Sequence, residues 1–290
     1  MGQPSFHPDL GPASRFLPKG VGRSLVRRLS RLATPRLDRR PAPDHGELAQ
    51  VSGRTVRLHR PPTAGTGPHP ALLWIHGGGY VLGHPVQDDK IARFYAAELG
   101  AIVAVPDYRL APEHPFPAGL HDCHDTLAWL AARDDVDADR IVIGGASAGG
   151  GLAAGLALLA RERGEVSPAF QLLVYPMLDD RTTTRPQPAP ERFRIWDERS
   201  NRWGWEAYLG RSPGGEGVDP LAAPRPGQPA GGRRLRLRRH GPRHQALGRG
   251  HERRHDLFAD EAGAFFTNRM PQDGSVGDDV VLQELALRFR

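Results

Sequence analysis

The sequence predicts an α/β protein with a mostly parallel central sheet and helices on both of its faces. Three observations carry that prediction. Short, largely apolar runs stand at 71–75, 102–105, 140–145 and 170–176. Continuous apolar strands of this length suit a sheet covered on both sides. Helical spacing intervenes at 118–132 and 146–163. A chain of 290 residues is long enough for one large domain of this kind.

The elements follow in order. Residues 1–46 read as one or two short helices and a Pro-rich linker. Within them SLVRRLSRLA (24–33) sets Leu25, Val26, Leu29 and Leu32 on one stripe and arginines opposite. Such a helix docks its stripe on the domain, the other use of its basic face being lipid or nucleic-acid contact. RTVRLHR (54–60) alternates at period 2. ALLWI (71–75) runs into glycines, and IVAV (102–105) is closed by Pro106. AGLHDCHDTLAWLAA (118–132) has helical spacing. RIVIGG (140–145) is a buried strand followed by an Ala/Leu-rich helix, 146–163, and FQLLVYP (170–176) is a fourth strand. TTTRPQPAPERF (182–193) is loop-like, and WDERSNRWGWEAYLG (196–210) is a helical segment bearing aromatics. Residues 225–255 show no usable periodicity. DLFADEAGAFFTNRM (256–270) has helical spacing again, and VVLQELAL (280–287) is a plausible last strand.

Composition narrows the function classes. The single cysteine, Cys123, excludes an intramolecular disulfide framework and any CxxC zinc site. No apolar run approaches the length of a membrane-spanning helix. The N-terminus has no apolar leader, and Phe6 stands where a myristoylation pattern needs Ser or Thr, so a cytoplasmic location is expected. The formal net charge of +6 is unevenly placed, since Arg225 to His255 holds ten arginines against one acid, Glu252. That window lacks Phe, Tyr and Trp, and the chain's only lysines are Lys19 and Lys90. A nucleic-acid partner is therefore not expected. Unpartnered arginines cannot be buried, so 225–255 is expected to be exposed.

Two motifs carry chemistry. Gly145-Ala146-Ser147-Ala148-Gly149 follows a strand and opens a helix, the setting of a G-x-S-x-G nucleophile elbow. The tight turn would lift the Ser147 hydroxyl above the sheet at a helix N-terminus, where developing negative charge is favoured. The same small residues would also serve a tightly packed helix entry. His76-Gly77-Gly78-Gly79 directly follows ALLWI. Consecutive glycines can turn backbone N–H groups toward a substrate oxygen, as in an oxyanion hole. A phosphate-cradling turn is the other use, but no G-x-G-x-x-G or Walker lysine follows. Together the motifs point to acyl transfer.

HGGGY (76–80), DYRLAPEHPFPA (107–118) and GASAGG (145–150) resemble the hormone-sensitive-lipase-like (bacterial family IV) esterases of the α/β-hydrolase superfamily. YPMLDDR (175–181) and NRWGWEAYLG (201–210) are similar to further family segments. The resemblance runs from about residue 50 to 223. It implies the α/β-hydrolase fold, with an eight-stranded sheet and a small helical cap. The cap would be built from the N-terminal helices (1–46) and an insertion at 180–210, the hydrolase domain spanning 47–290. It implies hydrolysis of short- to medium-chain carboxylic esters through a serine acyl-enzyme. The partner would be a small-molecule ester, with no cofactor and no metal. Oligomeric state is left open. Ser147 would be the nucleophile, and the amides of Gly78, Gly79 and Ala148 the oxyanion hole. His76 would organise its loop, while Asp107, Arg109 and Glu113 would mainly hold structure.

The rest of the triad is harder to place. The family order is Ser, then an acid, then His. Asp256, in DLFADE, matches the acid, although an Asp there also suits a helix N-cap. No histidine follows it, since the last of thirteen is His255. His240, His244, His251 and His255 lie inside the arginine window and read as loop residues. His121 and His124 read as surface or packing residues of the helix at 118–132. Residues 225–255 resemble the product of a reading-frame shift, with an early stop removing the family's histidine turn. On that reading the alternative function is a hydrolase-fold protein that binds small esters without turning them over.

Overall fold

The structure, a computed structural model, describes residues 41, 46–62, 67–185 and 195–225. Among the described residues, its centre is a six-stranded sheet. The strands are β1 (Gly46–Val51), β2 (Arg54–His59), β3 (His69–Ile75), β4 (Ile102–Pro106), β5 (Val136–Ala146) and β6 (Phe170–Val174). Their order across the sheet is β1-β2-β4-β3-β5-β6. β2 pairs antiparallel with β1 and β4, and every pairing from β4 to β6 is parallel. The α/β prediction, with a mostly parallel sheet, is borne out.

The apolar runs are unbroken because both faces of each central strand are buried. Ala71, Leu73 and Ile75 of β3 and Ile102 and Ala104 of β4 join one core. The residues between them, Leu72, Trp74, Val103 and Val105, join a second core on the opposite face. Three of the four α-helices among the described residues cover these two faces. α1 (Asp89–Leu99) lays Ala92, Tyr95 and Ala96 on the second core. α2 (Ala118–Ala131) sends Leu120, Cys123, Leu127 and Leu130 into the first at helical spacing. α3 (Ala148–Arg163) adds Leu152, Leu156 and Leu159 beside them. The fourth, α4 (Glu198–Leu209), contributes Trp205 and Tyr208 to the first core.

Two elements have no counterpart in the sequence-based prediction. β1 is half-exposed, with Leu48 and Gln50 turned outward and only Val51 buried, so it carries little apolar signal. Its hairpin to β2 turns at Ser52 and Gly53, both with positive φ, as a two-residue type I′ turn requires. α1 was blurred differently. Its large apolar residues Ile91 and Phe94 face outward, while the small Ala92 and Ala96 face the sheet.

One expectation is corrected. Arg225, the first arginine of the basic window, is half-buried rather than exposed, with a side chain 9% accessible. Its guanidinium pairs with the fully buried Asp180, and with Asp179 at 3.4 Å. Asp180 also accepts the Gly214 N–H at 2.6 Å. A partly buried arginine is tolerable where carboxylates meet it. The helix at 24–33, the remainder of the basic window, the helix at 256–270 and the strand at 280–287 lie outside the described residues.

Candidate active site

Ser147 stands between β5 and α3, at φ 56° and ψ −118°. Few L-residues adopt that backbone, and it costs on the order of 1–3 kcal/mol unless the surroundings enforce it. Three main-chain hydrogen bonds enforce it here. Ser147 N–H donates to Val174 O at 2.9 Å, and Ser147 O accepts from Gly151 N–H at 3.1 Å and Met177 N–H at 3.0 Å. The turn is also hemmed in from the side. A Cβ on Gly149 would collide with the Ile75 carbonyl and lie 2.6 Å from His76 O. Only glycine lets the start of α3 approach the end of β3 so closely. The Ser147 side chain makes no capping bond to the helix that follows.

The His76–Gly79 loop lies directly against this turn. A Cβ on Gly77 would stand 3.0 Å from Ala146 O and 3.6 Å from Ser147 Cβ. The loop's carbonyls are fastened one after another. His76 O accepts from Tyr108 Oη at 2.9 Å. Gly77 O accepts from His76 Nδ1 at 2.9 Å and Gln87 Nε2 at 3.3 Å. Gly78 O accepts from Leu82 N–H at 2.9 Å, and Tyr80 O from Ala111 N–H at 2.9 Å. The amides of Gly78, Gly79 and Ala148, by contrast, have no backbone acceptor among the described residues. Gly79 and Ala148 are buried. Ala148 opens α3, where the first N–H groups of a helix lack an intrahelical acceptor.

His76 is fully buried and stacks on Tyr108, ring centroids 4.3 Å apart. Burial is the main reason its pKa falls from 6.5 to about 4. The bond to Gly77 raises it and nearby His84 lowers it further. The imidazole is therefore neutral at pH 7 and belongs to the loop's scaffold. The other residues expected to hold structure also have structural partners. Asp107 binds Arg54 at 3.0 Å. Arg109 forms a forked pair with Asp122 at 2.7–3.1 Å. Of the helix histidines, His121 is exposed and His124 is buried, 3.0 Å from Arg163 Nη1.

Aromatic residues close one side. Tyr80 stacks on Tyr208 of α4 at 3.9 Å and donates its hydroxyl to Met177 O at 2.9 Å. Trp196, just before α4, lays its indole on Gly79. The prediction missed Trp196 as a site residue because it was counted inside the helix. Its signal was the Asp197–Ser200 cap that follows it. Asp256 and His240, His244, His251 and His255 lie outside the described residues.

A family model described as alpha/beta hydrolase fold matches residues 72–234, more than half of the chain. The chain is 44% identical over 124 residues to carboxylesterase NlhH of Mycobacterium tuberculosis, covering 42% of this chain and 39% of that one. It is 34% identical over 165 residues to the ethyl acetate hydrolase of Pseudomonas putida, covering 53% and 50%. The chain thus spans half or less of the length of these curated relatives. Among solved structures, a bacterial heroin esterase is 35% identical with TM-score 0.65, covering 76% of this chain and 74% of that one. An esterase from the bacterial hormone-sensitive lipase family is 33% identical with TM-score 0.53, covering 67% and 65%.

Proposed function

The chain belongs to the α/β-hydrolase family, in its hormone-sensitive-lipase-like branch, and from that premise we propose that it hydrolyses short- to medium-chain carboxylic esters through an acyl-enzyme on Ser147. The observation that carries this reading is the contact of the 76–79 loop with the Ser147 turn, where Gly77 lies against Ala146 O and Ser147 Cβ. On this reading Ser147 Oγ attacks the ester carbonyl carbon and loses its proton to a base. The carbonyl oxygen becomes an oxyanion, received by the amides of Gly78, Gly79 and Ala148. Collapse expels the alcohol, which takes up the proton, and water then releases the acid and restores the hydroxyl. Fixed donors of this kind are each worth about 100- to 1000-fold in rate. The fastened carbonyls of His76, Gly77, Gly78 and Tyr80 support the assignment, because they hold the loop's backbone in one conformation.

Asp256 is the proposed acid. Small esters are supported by relatives named for ethyl acetate and other carboxylic esters. Hydrolysis of p-nitrophenyl butyrate, compared with Ser147→Ala, tests the proposal. The expected loss in kcat on removing the hydroxyl is at least about 10,000-fold. Equal rates in the two proteins would reject serine-based turnover and favour binding without it.

A further inference from the structure

Trp196 packs its ring against two glycines. A Cβ placed on Gly79 would fall inside its indole, 2.5 Å from Cζ3 and 2.6 Å from Cζ2. A Cβ on Gly204 of α4 would lie 3.0 Å from Cη2 and 3.1 Å from Cζ2 of the same ring. The benzo edge is therefore clasped between the loop beside Ser147 and a helix, with a glycine on each side. It remains half-buried.

The backbone before and after the indole holds it there. Ile195, the residue before, is β-branched, has φ 67° and keeps its own side chain 46% exposed. That backbone is unfavourable for such a residue. The residue after, Asp197, caps α4 by accepting Ser200 N–H at 2.8 Å and Ser200 Oγ–H at 2.6 Å. A strained residue and a cap thus fix the ring on the glycine whose amide would receive the oxyanion.

We propose that Trp196 is the specificity-determining residue of this site. Its indole is a wall beside the carbonyl's landing place and limits the size of the ester substituent that can lie along Gly79. The inference rests on the reading of Ser147 and the 76–79 loop as the reacting centre. It assigns the substrate class more narrowly, as esters whose substituent on that side is short.

The test measures kcat/KM for wild type, Trp196→Ala and Trp196→Phe. One series is p-nitrophenyl esters from acetate to decanoate, and the other is acetate esters of alcohols from methanol to hexanol. Ser147→Ala serves as blank, and circular dichroism checks folding. Trp196→Ala is expected to raise the long-to-short ratio of kcat/KM in one series by about 10-fold or more, mainly through KM. Trp196→Phe is expected to fall between. Where the alanine variant does not fold, the phenylalanine variant carries the test, and an unchanged ratio there counts against the proposal. Serine-dependent rates that fall uniformly, with both size profiles parallel to wild type, would overturn the role of Trp196 alone. A wild-type rate equal to the Ser147→Ala blank would instead overturn the serine reading on which it rests.

Discussion

His76 shows how a single buried side chain links the glycine loop at 76–79 to pH. Its folded pKa of about 4 lies below the 6.5 expected of an exposed imidazole, because burial disfavours the cation. Between those values the unfolded chain holds a proton that the folded chain does not. Its contribution is therefore complete above pH 6.5 and is lost as pH falls toward 4, by at most roughly 3 kcal/mol. His124, also lowered by burial, acts in the same direction. Urea unfolding at pH 7 and pH 4.5 is expected to show wild type losing more stability than His76→Gln. Parallel losses would contradict the assignment. At the same scale, Gly149→Ala would force a methyl onto the Ile75 carbonyl. It is expected to cost about 1–3 kcal/mol and to lower the melting temperature.

At the scale of elements, two ion-pair and capping devices hold the segments around the site. Arg225 meets the fully buried Asp180, so Arg225→Ala strands a carboxylate and is expected to cost about 3–5 kcal/mol. Adding Asp180→Asn should recover part of that loss, and denaturant unfolding of the single and double variants checks it. Asp197→Ala removes the cap of α4 and is expected to cost about 1 kcal/mol. The central strands and helices were legible because their burial is regular. β3, β4 and β5 are apolar on both faces, and α2 repeats its apolar residues at helical spacing. β1 escaped because an edge strand buries little. α1 escaped because two of the three residues it buries are alanines, which weigh little on any hydrophobic scale, while Ile91 and Phe94 face outward. Ser147 and the glycine loop were legible because chemistry constrains their residue types as well as their polarity. Trp196 was not, since its role depends on a contact 117 positions away along the chain. Arg225 misled because charge count says nothing of which carboxylate waits nearby.

For the whole molecule, the sheet is the platform that brings the two motifs together. β3 and β5 are neighbours, so the 76–79 loop and Ser147 emerge side by side from adjacent strand ends. That arrangement depends on the two cores between which the strands are held. Leu73→Ala, in the first core, is expected to cost about 2–5 kcal/mol, whereas Leu48→Ala, exposed on β1, should change stability by less than about 0.5 kcal/mol. Guanidinium unfolding of both variants compares them. The central claim is that the hydroxyl of Ser147 is an activated nucleophile facing free main-chain amides. Its most direct test is treatment with a fluorophosphonate followed by peptide mass spectrometry. The account predicts one phosphonyl adduct, located on Ser147 and absent from Ser147→Ala. A wild-type protein left unmodified, or labelled equally in the variant, would contradict it.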